Sequence, residues 1–232
     1  MAWSHGSRFE LARKLAGTHK GGRLLDYGCG DGTFVAMVHR EFGETVGVDV
    51  DPRQIAECVR RLGHLPGVRF GTVAETNAAG RGQSWDVVTC MEVLEHCVEE
   101  ERRRVVGALA RLVAPDGVAI VSVPIEIGPS VAGKQFFRLL AGLRRLGDYE
   151  HRERYSPSEM LRAVFARRVP RVLLTGVGPD GPYRYYGHKG FDYRELEREL
   201  AARFTIASRL FTPIRFAGPL SNSQVWFVCR PA

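Results

Sequence analysis

The chain has 232 residues, between one and two average domains of about 150 residues, so one α/β domain with an elaboration is expected. It is 44% hydrophobic and 25% charged, with 26 Gly and 12 Pro; that composition excludes a disordered, collagenous or coiled-coil chain. The net charge of +7 favours anionic partners without naming one. Only Lys14, Lys20, Lys134 and Lys189 are lysines, so the excess also reads as that of an arginine-rich coding composition.

Five cysteines, Cys29, Cys58, Cys90, Cys97 and Cys229, form an odd set without a C-x-x-C pair. This argues against a disulfide framework and a structural zinc site, and a reducing cytoplasm is expected. Ser4, His5, Arg8, Glu10 and Arg13 stand where a signal peptide needs an apolar core, and no run is long and apolar enough to span a membrane.

A leading helix is expected at Ser7–Leu15, packed beside the first strand. Strands are then expected at Leu24–Tyr27, Thr45–Val50, Val68–Val73, Trp85–Cys90 and Val118–Val123, alternating with helices at Thr33–Phe42, Pro52–Leu62 and Glu92–Val113. That alternation predicts βαβ units and a mainly parallel sheet. It stops for about 65 residues, longer than an ordinary connection, so residues 125–190 read as a lid or substrate cap inserted after the fifth strand. The helix Tyr193–Arg203 and the strands Phe204–Phe211 and Gln224–Cys229 close the chain. The expectation is one doubly wound, Rossmann-like domain over residues 1–232, with seven strands and helices on both faces.

The segment Leu24-Leu25-Asp26-Tyr27-Gly28-Cys29-Gly30-Asp31-Gly32 is an apolar strand running into a glycine loop and a helix. Without Cβ atoms, backbone amides there can approach a ligand closely. Asp49 ends the second strand nineteen residues after Gly30, where a carboxylate can accept both hydroxyls of a ribose. A dinucleotide fingerprint wants glycine at position 33, which is Thr33 here. Asp26 before the loop can face an amino group, which suits a ligand with adenosine at one end and an amino acid at the other.

The set LLDYGCGDG (Leu24–Gly32), VGVDVD (Val46–Asp51), SWDVVTCMEVLEH (Ser84–His96) and LARLVAPDGVAIVSVP (Leu109–Pro124) resembles the class I S-adenosylmethionine (SAM)-dependent methyltransferases over residues 20–125. The resemblance implies that Asp26, Gly28, Cys29 and Gly30 hold the methionine part of SAM and Asp49 the ribose. Cys90 and Met91 would form the floor, and Val50, Val73 and Ala74 would complete the cofactor-binding set. Where many members of the family carry an acidic residue for the adenine amino group, this chain has Val73, leaving backbone contacts or Glu75 for that role.

Glu92, Glu95 and His96 have i, i+3, i+4 spacing, so a helix beginning at Glu92 would place all three on one face and suit Mg²⁺ or Mn²⁺. The other reading is that both glutamates favour a helix N-terminus. The EVLEH string resembles that of the ubiquinone-biosynthesis O-methyltransferases and the small-RNA 2′-O-methyltransferases. The latter draw a further His from downstream, and His151 is the expected remote ligand.

Within the cap, Val131–Gly147 reads as a basic amphipathic helix that either rests on the core or touches a lipid surface or an anionic or lipid-linked acceptor. Ser156, Pro157 and Glu159 predict a capping box. His96, His151 and His188 are the candidate bases. Tyr183, Tyr185 and Tyr186 around Arg184 either stack on a ring or cover the core. The sequence thus points to O-methylation of a small-molecule or glycan-like acceptor. A metal-dependent RNA 2′-O-methyltransferase and a non-catalytic SAM-binding domain are the alternatives; RNA is disfavoured because no separate RNA-binding module is present.

Overall fold

A computed structural model of the chain describes residues 3–78, 84–135, 155–178 and 181–232. Helix α1 (Trp3–Ala16) leads into β1 (Arg23–Tyr27), α2 (Thr33–Val38), β2 (Glu44–Asp49), α3 (Pro52–Leu62), β3 (Val68–Thr72) and α4 (Val73–Ala78). Next come β4 (Trp85–Met91), α5 (Glu99–Leu112) and β5 (Val113–Pro124). The chain continues with α6 (Pro157–Val164), β6 (Leu173–Gly178), β7 (Gly181–Tyr186), α7 (Tyr193–Ala201), β8 (Phe204–Thr212) and β9 (Gln224–Pro231).

Seven strands form one sheet in the order β3-β2-β1-β4-β5-β9-β8. Strands β1 to β5 are parallel, and β9 runs antiparallel to both β5 and β8. Neighbouring residues in a strand serve opposite cores, as period-two geometry requires. Leu25, Val88 and Val121 pack with Val106 and Leu109 of α5 and Leu196 of α7, while Leu24, Val87 and Ile120 pack with Leu11 and Ala12 of α1 and Phe34 of α2. The doubly wound, Rossmann-like expectation holds, and the leading helix is present, packed in one cluster with Leu24 of β1 and Val118 and Ile120 of β5. No helix among the described residues is long and apolar enough to cross a membrane.

Several boundaries are corrected. The expected helix Glu92–Val113 starts at Glu99, because Glu92 adopts a left-handed backbone (φ 57°) that no α-helix accommodates. The acidic run Glu99-Glu100-Glu101 occupies the first turn, where the helix dipole favours negative charge. Val73 begins α4 instead of ending the third strand. The fifth strand begins at Val113 and bulges between its pairings of Trp85 with Val113 and Val87 with Val118. The expected helix Thr33–Phe42 is an α-helix only to Val38, followed by a 3₁₀ turn at His39–Glu41.

Within residues 125–190, the expected capping box is present: Ser156 Oγ accepts the Glu159 N–H and Glu159 accepts the Ser156 N–H. The β6–β7 hairpin, a separate two-stranded sheet, was not anticipated. Of the expected helix Val131–Gly147, residues 131–135 are helical and the remainder lies outside the described residues, as does His151.

Candidate active site

The parallel strands all end at one edge of the sheet, and the order reverses between β1 and β4. A crevice is expected outside such a switch point. Two cavities open there, of about 350 Å³ and about 990 Å³, and the residues common to both are Gly28, Gly30 and Glu92.

The loop after β1 is tied to the next strand by its own amides. Gly28 N–H and Cys29 N–H both donate to Val48 O, at 2.8 and 2.9 Å. Gly28 has φ 83°, and a Cβ there would collide with the Val93 side chain; Gly30 has φ 52° and faces open space. This is a backbone cradle that a ligand can approach closely. The Asp49 carboxylate accepts the Gly30 N–H at 3.1 Å through Oδ2 and the Asp51 N–H at 3.1 Å through Oδ1, which fixes its orientation at the mouth of the larger cavity.

Asp26 is buried and lines the smaller cavity. Burial raises its carboxyl to about 7; the 2.6 Å hydrogen bond donated by Thr89 Oγ1 opposes the rise and Asp49 adds to it. Arg8 and Phe9 of α1 complete that cavity with Phe34 and Met91, and among the described residues Arg8 is the sole basic one in its lining. Sequence reasoning missed Arg8, because nothing in a fifteen-residue separation from the glycine motif announces that α1 folds back over it.

Val50 and Val73 line the larger cavity with Asp49. Cys90 does not reach either cavity and sits in the core, and Ala74 is exposed on α4 outside both linings. Glu75 folds back on Thr72, accepting its N–H at 2.7 Å and its Oγ1–H at 2.9 Å, which lowers the Glu75 carboxyl from its ordinary range. It is therefore committed to its own helix start.

The metal expectation changes in composition. Since residues 92–98 are not helical, Glu92, Glu95 and His96 do not share a helix face. Glu92 turns to another set of partners: Ser122 Oγ and Gln224 Nε2 donate to its Oε1 at 3.4 and 3.1 Å, and Arg8 pairs with Oε2 at 3.5 Å. Burial raises its carboxyl despite Arg8 and Lys134 nearby.

Glu95, His96 and His188 come together instead, with one ligand atom from each within 4.8 Å of the others. The Glu95 side chain is fully buried, and neither carboxylate oxygen has a hydrogen-bond partner from another residue. Burial, then the Glu92 charge, push it well above the usual carboxylate range. His96 Nδ1 lies 2.9 Å from Tyr186 O. A carbonyl only accepts, so Nδ1 carries the hydrogen; Nε2, the nitrogen left to offer a lone pair in the neutral ring, lies 3.8 Å from Glu95 Oε1. The His96 and His188 rings meet edge to face at 4.7 Å. A buried carboxylate lacking donors beside two imidazoles, one with its tautomer fixed by a backbone carbonyl, fits a divalent cation with mixed nitrogen and oxygen ligands.

The outer wall of the larger cavity is the hairpin, through Tyr183, Arg184 and Tyr185. The Tyr183 ring lies over Gly176, its cross-strand partner, and 5.7 Å from the Tyr185 ring.

Comparison with known proteins gives three findings. A family model described as a methyltransferase domain matches residues 7–167. A ubiquinone biosynthesis O-methyltransferase of Salmonella paratyphi A is 32% identical over 166 residues, 68% of this chain and 65% of the relative, so the chain spans about two thirds of the length of that protein. Among solved structures, a protein from Pyrococcus horikoshii OT3 shares the fold at a TM-score of 0.64 with 18% identity, covering 100% of this chain and 92% of the other. The N-methyltransferase NodS of Bradyrhizobium japonicum WM9 in complex with S-adenosyl-L-homocysteine does so at 0.56 with 12% identity, covering 97% and 86%.

Proposed function

The chain belongs to the methyltransferase-domain family of SAM-dependent proteins, and on that premise we propose that it methylates a hydroxyl oxygen of a small-molecule or glycan-like acceptor with help from a divalent cation. Bound SAM supplies the methyl group on its sulfonium. The chain's own contribution would be to position it: Asp26 would hold the ammonium, Arg8 the carboxylate and Asp49 the ribose hydroxyls, over the cradle of Gly28 and Gly30. Val50 and Val73 flank the adenine. Collinear placement of acceptor oxygen, methyl carbon and sulfur supplies most of the rate in a displacement of this kind.

A hydroxyl acceptor must also lose its proton. The observation that carries the cation reading is Glu95, buried with both oxygens lacking donors, in contact range of two imidazoles beside the cofactor cradle. Glu95, His96 Nε2 and His188 are the proposed ligands, and a cation held there supplies a lowered pKa for the acceptor hydroxyl. Glu92, bound by Ser122, Gln224 and Arg8, acts as an orienting group for Arg8. Residues 125–190 are assigned as the acceptor cap, supported by the place of Tyr183, Arg184 and Tyr185 in the cavity wall. The five cysteines are all buried free thiols, which supports a cytoplasmic setting.

The test is methyl transfer from labelled SAM to a panel of phenolic, sugar and amine acceptors, in Mn²⁺, in Mg²⁺ and in chelator. Turnover on a hydroxyl acceptor that disappears in chelator is the expected result. Equal turnover in chelator would remove the cation, and turnover on amines alone would remove the oxygen acceptor.

A further inference from the structure

Among the described residues, the β6–β7 hairpin has little to hold it in place. It is not hydrogen-bonded into the main sheet, and none of residues 173–177 and 181–186 is buried. An isolated two-stranded ribbon is marginally stable in water. What fixes this one is a short set of links, and they converge on two residues. Tyr186 N–H donates to His96 O at 2.8 Å, and His96 Nδ1–H donates back to Tyr186 O at 2.9 Å. Arg171, just before β6, donates to Glu95 O and to Gly187 O, and its guanidinium lies 4.1 Å from the Tyr186 ring centre. Both roots of the hairpin are therefore pinned to the Glu95–His96 turn, and His188 follows two residues after β7.

That turn is itself poorly supported. Its Glu95 carboxyl group is buried without a hydrogen-bond partner from another residue, and a buried polar group left unsatisfied opposes the conformation that buries it. We infer that the Glu95, His96 and His188 cluster is the clasp of the β6–β7 hairpin: a divalent cation bound there gives the buried Glu95 oxygens a partner, ties the turn to the end of β7, and orders the wall that Tyr183 and Tyr185 present to the cleft. The inference rests on the cation reading of the same site but goes beyond it, since it makes the cation a determinant of cavity shape in addition to any effect on an acceptor hydroxyl. Arg171 is then a positioning residue that acts through Glu95 and Gly187.

Hydrogen exchange of the full chain, with and without Mn²⁺, tests this while electron paramagnetic resonance reports Mn²⁺ binding in parallel. Exchange at residues 173–178 and 181–186 is expected to slow by up to about 100-fold when Mn²⁺ is at 100 times its dissociation constant, the limit set by linkage for a segment that must be ordered for the site to exist. Exchange in β1 and β5 is expected to stay unchanged, which also checks folding of the variants. His188→Ala should abolish the slowing, with β1 and β5 still protected. Mn²⁺ binding without any change at 173–186 would overturn the clasp and leave the cation reading intact. No Mn²⁺ binding would remove both.

Discussion

The two walls of the cleft are held by different forces. The wall proposed to hold the cofactor is part of the central sheet: the loop after β1 is pinned by amides donating to Val48 and Asp49 on the adjacent parallel strand, and the strands beneath it are covered on both faces. The opposite wall is a two-stranded ribbon outside that sheet, attached through His96, Arg171 and Tyr186 around a buried carboxylate. One wall is preorganised by backbone, and the other is conditional on a few side chains. Cofactor binding should therefore answer to single residues and ignore cations, whereas the acceptor wall should respond to them.

The largest expected break in that contrast comes from Asp49→Ala. It removes the proposed ribose acceptor and also leaves the Gly30 and Asp51 amides without their partner. Titration with S-adenosylhomocysteine should show a loss of about 1.5–3 kcal/mol, the scale of hydrogen bonds to a charged group. Unchanged affinity would place the ribose elsewhere.

Asp26 sharpens the same wall through pH. Its folded carboxyl titrates near 7 because burial disfavours the charge, above the ordinary range of about 3.9. A raised carboxylate means that the free protein binds a proton that the unfolded chain releases, so this group's contribution to stability falls as pH rises from about 4 to about 7. The cofactor ammonium favours the ionised form, so binding below about pH 7 expels a proton and affinity should drop about tenfold per pH unit there. Calorimetry in buffers of different ionisation enthalpy would detect the proton. An Asp26→Asn variant should lose the pH slope, and a flat slope in the unaltered protein would sink the assignment.

The contrast also explains what could be read from residues alone. The glycine-loop wall is nearly consecutive: Asp26 to Gly30 lie on one strand and its loop, and Asp49 ends the next strand, so spacing and glycine chemistry were enough to place these residues together. The cluster of Glu95, His96 and His188 joins residues 95 and 96 to residue 188, a juxtaposition that no local period encodes. Its error was traceable: the EVLEH spacing suggested a helix from Glu92, although the triple acid at Glu99 was the better start signal. The hairpin was missed because Leu173–Gly178 and Gly181–Tyr186 bury none of their described residues, so the alternation that marks a half-buried strand is absent. Arg8 was missed because tertiary folding alone brings α1 over the glycine loop.

The smallest effect lies in the conditional wall. Helix α6 packs in a minor cluster of Val131, Ala163 and Val169, and its first turn depends on the Ser156–Glu159 box. Glu159 also pairs with Lys189 at 2.8 Å, and these contacts lower its carboxyl to about 2. Ser156→Ala removes the acceptor for the Glu159 N–H but leaves that ion pair in place, so the helix should lose about 1 kcal/mol, typical of a cap, without unfolding. Exchange of the α6 amides should accelerate about fivefold, as that free energy requires, while affinity for S-adenosylhomocysteine stays the same. A loss of cofactor affinity in this variant would mean that the two walls are coupled through the cap, and the division between a preorganised and a conditional wall would have to be abandoned.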